Sequence, residues 1–214
     1  MFRLTHPFLR LLALGALGLA FVEEAGAASP TTILFLGDSL TAGYGLDPDA
    51  AYPALVEARL QDAGHEVEVL NGGLSGETTA GGLRRVRWVM RRPIDILVIA
   101  LGGNDLLRGL PPEQTEANLE AIIETARELQ PEIDILLAGM LAPPNMGTAY
   151  AEAFAAVFPR LAERHELAFL PFLLEGVAGD PALNQPDGIH PNARGQAVLA
   201  AEVAEALIPL LPPR

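Results

Sequence analysis

Residues 31–40 read TTILFLGDSL and contain the first predicted strand. The unbroken apolar run from Thr32 to Leu36 is typical of a strand that is buried on both faces, and Gly37 ends the run. Four further strand patterns alternate with five helical patterns along the chain. The strands are at residues 67–71, 94–101, 133–138 and 167–171, and the helices at 51–63, 83–90, 114–129, 150–164 and 193–207. Because this alternation needs crossovers between parallel strands, the sequence predicts a three-layer α/β/α sandwich around a five-stranded parallel sheet.

Four polar or glycine-rich segments lie where a sheet of this kind places its chemistry, outside the carboxyl ends of the strands. Three of them directly follow the first three strands, and the fourth precedes the last helix. They are residues 37–41, 71–77, 102–105 and 187–191. We therefore expect the candidate catalytic residues in these segments.

Ser39 is the candidate nucleophile. Serine occurs only at positions 29, 39 and 75, and Ser29 adjoins a predicted processing site. Ser39 is placed where a buried strand turns into a helix, so backbone N–H groups and the helix dipole favour negative charge beside it. The alternative is that Ser39 is only a helix N-cap, a common role for serine at such a position.

His190 is the candidate general base, and Asp187 is the carboxylate that orients it. Their three-residue spacing, in a loop with Gly188 and Pro191, lets one short turn carry both groups. The alternative is an ordinary surface Asp–His pair beside a helix start. The other histidines are scattered and the chain has no cysteine, so the sequence predicts no metal site and excludes disulfides and cysteine nucleophiles.

Asn104 and Gly76 are the candidate oxyanion donors. Asn104 follows the third strand and offers a side-chain amide, whereas Gly76 lies in a glycine-rich turn whose backbone N–H can approach a substrate closely. The apolar segment after Asn104 supplies the tentative substrate-binding residues Leu106, Leu107 and Leu110. The alternative is that these leucines fold into a small local core.

These residues together carry a family resemblance. Ser39, Gly76, Asn104 and His190 resemble, in order and spacing, the four blocks of the SGNH (GDSL) hydrolases. Residues 37–40 read Gly-Asp-Ser-Leu, Asp187 matches the Asp-x-x-His of the family, and the match extends over residues 32–207. The resemblance implies a flavodoxin-like SGNH fold and a serine hydrolase that needs no cofactor.

The finer resemblance is to the bacterial multifunctional subgroup, whose members are periplasmic acyl-CoA thioesterases, arylesterases and lysophospholipases. It implies that Ser39 attacks a small-molecule acyl ester or thioester, with the backbone N–H of Ser39 as the third oxyanion donor. Met146 after Asn145 departs from the aromatic residue common there and leaves acyl preference open. A carbohydrate O-acetyl esterase of the same fold is the alternative enzyme, and a noncatalytic binding protein is the alternative outside enzymes.

The N-terminus predicts export. Arginines precede an apolar run at residues 11–22, and Ala25-Gly26-Ala27 has small residues at cleavage spacing. We expect a signal peptide over residues 1–27, cleavage near Ala27/Ala28, a hydrolase domain over residues 28–214, and a periplasmic or secreted enzyme. An uncleaved membrane anchor is the alternative. No later segment is apolar for long enough to be transmembrane, so no stable membrane insertion is expected after cleavage.

The net charge of the chain limits the kinds of partner that it can bind. The 214-residue chain has a formal net charge of -13, which repels phosphate backbones and makes nucleic acid an unsuitable partner. Its length suits one domain, and we expect a monomer. Five arginines cluster on one predicted helix and are expected to face mostly outward, as a solvated face or as a docking strip for anionic groups. They are Arg84, Arg85, Arg87, Arg91 and Arg92.

Overall fold

The computed structural model describes Met1 and residues 29–213. The predicted signal peptide, residues 1–27, lies outside the described residues apart from Met1, and so does its cleavage point at Ala27/Ala28. The described chain forms one five-stranded parallel sheet, which confirms the predicted fold class. Its strands are β1 (Thr31–Gly37), β2 (Val67–Gly73), β3 (Ile96–Ala100), β4 (Asp134–Ala138) and β5 (Ala168–Leu170).

Helices connect these strands. In the part of the chain that the structure describes they are α1 (Ser39–Ala42), α2 (Tyr52–Asp62), α3 (Thr79–Val89), α4 (Gly103–Leu107), α5 (Pro112–Leu129), α6 (Thr148–Ala155), α7 (Val157–Arg164) and α8 (Ala193–Leu207). Short 3₁₀ turns cover Pro48–Ala50, Pro144–Met146 and Ile208–Leu210. No helix among the described residues is long and apolar enough to cross a membrane.

Three details differ from the sequence-based expectation. The helix expected over 150–164 is two helices, because the ring of Pro159 clashes with the carbonyl four residues earlier and removes one N–H donor. Helix α3 begins four residues before the expected Leu83, since the Thr78 hydroxyl accepts a hydrogen bond from the Gly81 N–H and caps it. No helix was predicted directly after β3, where the structure has α4.

The strand order is β2-β1-β3-β4-β5. The chain moves from β1 to β2 on one side and then returns past β1 to place β3 on the other, so the direction of progression reverses between β1 and β3. Parallel sheets of this order bind their ligands in the crevice at that switch point. The fold therefore predicts a site between the segments that follow β1 and β3.

Helices cover the sheet in two groups. Helix α2 packs against α8, whereas α3 packs against α5 and α5 against α7. The right-handed crossovers from β1 to β2 and from β2 to β3 run in opposite directions along the sheet, which places α2 and α3 on opposite faces. The central strand β3 is consequently buried along its whole length, with a core of aliphatic side chains on both sides.

Candidate active site

Ser39 lies at the turn from β1 into α1. The Asp38 carboxylate caps this short helix, because its Oδ1 accepts a hydrogen bond of 3.0 Å from the Leu40 N–H. A Cβ atom at Gly37 would lie 1.9 Å from the Thr41 hydroxyl, so only glycine allows the turn to close this tightly. The turn presents the Ser39 side chain at the switch point of the sheet.

A separate loop brings His190 to Ser39. The loop precedes α8, and Gly188 adopts a left-handed conformation (φ 71°) within it. Gln185 fastens the loop, since its N–H donates to the His190 carbonyl at 2.8 Å and its side-chain amide donates to the Tyr44 carbonyl at 2.6 Å. The second contact ties the loop to the chain that follows α1, and it thereby fixes His190 relative to Ser39.

Three side chains form a continuous hydrogen-bonded chain. His190 Nδ1 lies 2.7 Å from Asp187 Oδ2, and His190 Nε2 lies 2.9 Å from Ser39 Oγ. A carboxylate only accepts hydrogen bonds, so Nδ1 carries the proton and Nε2 of the neutral ring accepts from the Ser39 hydroxyl. This is the tautomer that a general base needs in order to take the proton of a serine nucleophile.

Asp187 is held ionised by its own loop. Its Oδ1 accepts backbone N–H bonds from His190 at 3.0 Å and Ile189 at 2.9 Å. These bonds, led by the His190 N–H and joined by the imidazole, lower the pKa of Asp187 to about 2. The negative charge beside Nδ1 is therefore present throughout the neutral range.

Gly76 and Asn104 reach the same place from β2 and β3. Gly76 is in a left-handed conformation (φ 79°), and Arg108 donates to its carbonyl at 2.8 Å. The Asn104 side-chain amide donates to Asp38 Oδ2 at 3.1 Å. Both residues line the cavity that contains Ser39 and His190.

Two buried carboxylates hold the turns that carry these donors. Asp105 accepts from the N–H of Thr79 at 2.8 Å and from its hydroxyl at 2.5 Å, which joins the segment after β3 to the start of α3. Glu77 pairs with Arg85, whose guanidinium also donates to the Gly72 carbonyl at 2.6 Å. The turn that carries Gly76 is thus held to the end of β2 through Arg85 and to the segment after β3 through Asp105.

Arg85 corrects the expectation for the arginine cluster. Its side chain is only 19% exposed and points inward to Glu77, because it closes the turn described above. Arg87 and Arg92 are exposed and pair with Glu128 and Glu68, as expected for a solvated face. The cluster is therefore not one continuous outward strip.

The cavity has a volume of about 790 Å³ and an apolar wall. Leu106 is buried and Leu107 is 58% exposed, and both line it. Leu110 does not lie among the described lining residues. Its backbone carbonyl accepts from the Tyr150 hydroxyl at 2.8 Å, and this bond holds the end of the segment against α6.

Two residues of the site went unnoticed in the sequence. Tyr44 lies over His190, with ring centroids 4.5 Å apart, and lines the cavity. Asp38 is 2% exposed, and burial raises its pKa to about 6. Its place directly before the nucleophile was the available signal, but an aspartate there is also an ordinary helix cap.

Comparison with known proteins identifies the family. Residues 35–198 match the model of the GDSL-like Lipase/Acylhydrolase family. The chain belongs to this family. The SGNH resemblance is thereby confirmed, and the protein is an ester-hydrolysing enzyme.

Two named proteins and one solved structure are similar to this chain. The chain is 41% identical over 203 residues to Esterase TesA of Pseudomonas aeruginosa, covering 94% of this chain and 98% of TesA. It is 41% identical over 187 residues to Thioesterase 1/protease 1/lysophospholipase L1 of Escherichia coli K12, covering 86% of this chain and 87% of that protein. A crystal structure of TesA superposes with a TM-score of 0.81 at 41% identity, covering 85% of this chain and all of that one.

Proposed function

We propose that Ser39, His190 and Asp187 hydrolyse acyl esters and thioesters through an acyl-enzyme. The observation that carries the proposal is the hydrogen-bonded chain from Asp187 through His190 to Ser39, which opens into an apolar cavity. The same order of groups supports nucleophilic catalysis on unrelated folds.

The first half of the reaction acylates the serine. Ser39 Oγ forms a bond to the acyl carbon while its proton moves to His190 Nε2, and the carbonyl electrons become an oxyanion. The tetrahedral species then collapses, the bond to the alcohol or thiol breaks, and His190 returns the proton to that leaving group. Asp187 stabilises the imidazolium that forms in between.

The second half releases the acid. A water molecule gives its proton to His190 and attacks the acyl carbon, and collapse of the new tetrahedral species breaks the bond to Ser39 Oγ. His190 then returns the proton to Oγ, which restores the free enzyme. In both halves the oxyanion accepts hydrogen bonds from the Ser39 N–H, the Gly76 N–H and the Asn104 amide.

The apolar wall of the cavity is the reason for proposing an acyl chain as the transferred group. Leu106 and Leu107 present apolar surface beside Asn104, and Leu141 and Ile189 add exposed apolar side chains to the lining. One relative is named as both a thioesterase and a lysophospholipase, and this name supports the same substrate classes for the present chain. Aryl esters, acyl-CoA and lysophospholipids are therefore the proposed substrates, whereas an O-acetyl sugar would leave this apolar wall unused.

Labelling and a substrate screen test the proposal together. A fluorophosphonate should label the wild type and Ser75→Ala, but not Ser39→Ala. p-Nitrophenyl esters of graded acyl length and acyl-CoA should be hydrolysed faster than acetylated xylan. Labelling that survives Ser39→Ala, or a preference for acetylated xylan, would contradict the assignment.

We also propose that the protein is exported, which the pattern of residues 1–27 supports, and that it is a monomer. Cell fractionation and the intact mass of the mature chain test a periplasmic or secreted product cut near Ala27. Size-exclusion chromatography with light scattering tests the monomer.

A further inference from the structure

Asp38 directly precedes the nucleophile and contacts Asn104, the oxyanion donor that follows the neighbouring strand β3. Its carboxylate has two separate partners: Oδ1 accepts from the Leu40 N–H, and Oδ2 accepts from the Asn104 amide at 3.1 Å. The backbone of the Asn104 turn also closes on it, since a Cβ atom at Gly103 would lie 3.2 Å from Oδ2. A helix cap alone needs only the first of these contacts.

The second contact decides which way the Asn104 amide faces. An amide nitrogen carries two hydrogens, and an ionised carboxylate can only accept. One hydrogen is donated to Asp38, which leaves the other free to point into the cavity. If the amide turned over, its oxygen would face both the carboxylate and the oxyanion, and both contacts would be repulsive.

We propose that Asp38 is a positioning residue that holds the Asn104 amide with its N–H toward the oxyanion. This inference rests on the proposed function, because it concerns the same acyl-transfer site. Asp38 does not touch the substrate in this scheme. It acts in the transition state through Asn104, where a fixed donor costs no reorganisation as charge develops.

Asp38→Asn is the most direct test. The side chain keeps its shape and keeps an oxygen for the Leu40 N–H, but it replaces the Asn104 acceptor with a donor. We expect kcat on a p-nitrophenyl ester to fall by about a hundredfold, as when an oxyanion donor is lost, with KM changed less than about threefold. A purely structural role would instead lower the folded fraction and leave kcat per labelled serine unchanged.

A double-mutant cycle separates action through Asn104 from every other route. In the Asn104→Ala background, Asp38→Asn should cost less than about threefold, because the amide it controls is absent. Equal factors in the two backgrounds would overturn the proposal, and so would an active Asp38→Asn single variant. If the two substitutions had additive effects on kcat, Asp38 would act by a route other than Asn104, for example through His190, whose charge also acts on Asp38.

Asp38→Ser covers the case in which Asp38→Asn fails to fold. Serine can still cap α1 but offers no second oxygen to Asn104, so its loss of kcat should likewise vanish in the Asn104→Ala background. Failure of the proposed function is recognised separately, by activity that survives Ser39→Ala in the same assay. Loss of labelling in Ser39→Ala combined with an additive cycle would refute only the role of Asp38.

Discussion

The two aspartates of this site have opposite environments. Asp38 is buried behind the nucleophile, and the loss of solvent raises its pKa to about 6. Asp187 lies in an exposed loop, where backbone N–H donors lower its pKa to about 2. In the proposed mechanism one carboxylate serves the base and the other serves the oxyanion donor, so the two aspartates differ in role because they differ in their position in the fold.

The largest expected effect comes from removing the nucleophile or its general base. Ser39→Ala or His190→Ala should lower kcat by about 10⁶-fold, and combining either with Asp187→Asn should cost little more, because the three act as a unit. Steady-state kinetics on a p-nitrophenyl ester, with Ser75→Ala as the matched control, measures this. Near-normal turnover in Ser39→Ala alongside an inactive Ser75→Ala would reverse the assignment.

Asp187→Asn should have the next largest effect, about 10⁴-fold on kcat, because an amide at this position favours the wrong tautomer of His190. This loss should be roughly a hundredfold greater than that of Asp38→Asn. Parallel kinetics of the two variants at one pH gives the ratio. Equal losses of kcat in the two variants would contradict the different roles proposed for the two aspartates.

Asn104→Ala should lower kcat by about a hundredfold or more with a modest change in KM, since its amide bonds mainly in the transition state. The measurement is the split between kcat and KM on one ester. A change confined to KM would assign Asn104 to substrate binding and would remove the reason for Asp38 to hold it.

Sequence patterns predicted the strands from local information, whereas the candidate triad, whose Ser39 and His190 are 151 residues apart, was predicted from the small number of candidates. Apolar runs mark buried strands, and scarce serines and histidines in ordered blocks leave few candidates. Asp38 was missed because its partner Asn104 is 66 residues away, and their contact depends on β1 and β3 being neighbours in the sheet. Arg85 was misplaced for a different reason: Glu77 is 8 residues away, but the sequence pattern does not show that Glu77 is buried beside it.

A change of pH should alter the contributions of Asp38 and Asp187 to the free energy of unfolding in opposite directions. The contribution of Asp38 is fully present below its ordinary pKa of 3.8 and is lost as pH rises through about 6, whereas that of Asp187 is present above 3.8 and is lost as pH falls toward 2. Acidification from pH 7 to 5 should therefore stabilise the wild type relative to Asp38→Asn by about 1 kcal/mol.

Urea unfolding followed by far-UV circular dichroism at both pH values measures this difference. His190, whose charge acts on Asp38, and Tyr52, on which the charge of Asp38 acts, are present in both proteins. A difference in unfolding free energy that stays constant with pH would show that Asp38 titrates at its ordinary pKa, and a wild type that loses stability relative to Asp38→Asn on acidification would show a lowered pKa.

The smallest expected effect lies on the cavity wall, away from both aspartates. Leu107→Ser should lower kcat/KM for a decanoyl ester by about two- to fivefold more than for an acetyl ester, since each methylene removed from apolar contact costs about 0.8 kcal/mol. Leu107 is 58% exposed and lines the cavity, so a long acyl chain can cover it while an acetyl group cannot. Leu110→Ser should show no such preference, because that residue lies outside the lining, and Leu129→Ser at the far end of α5 is the surface control. Equal losses on both esters for Leu107→Ser, or a larger length dependence for Leu110→Ser, would place the acyl chain along a different wall.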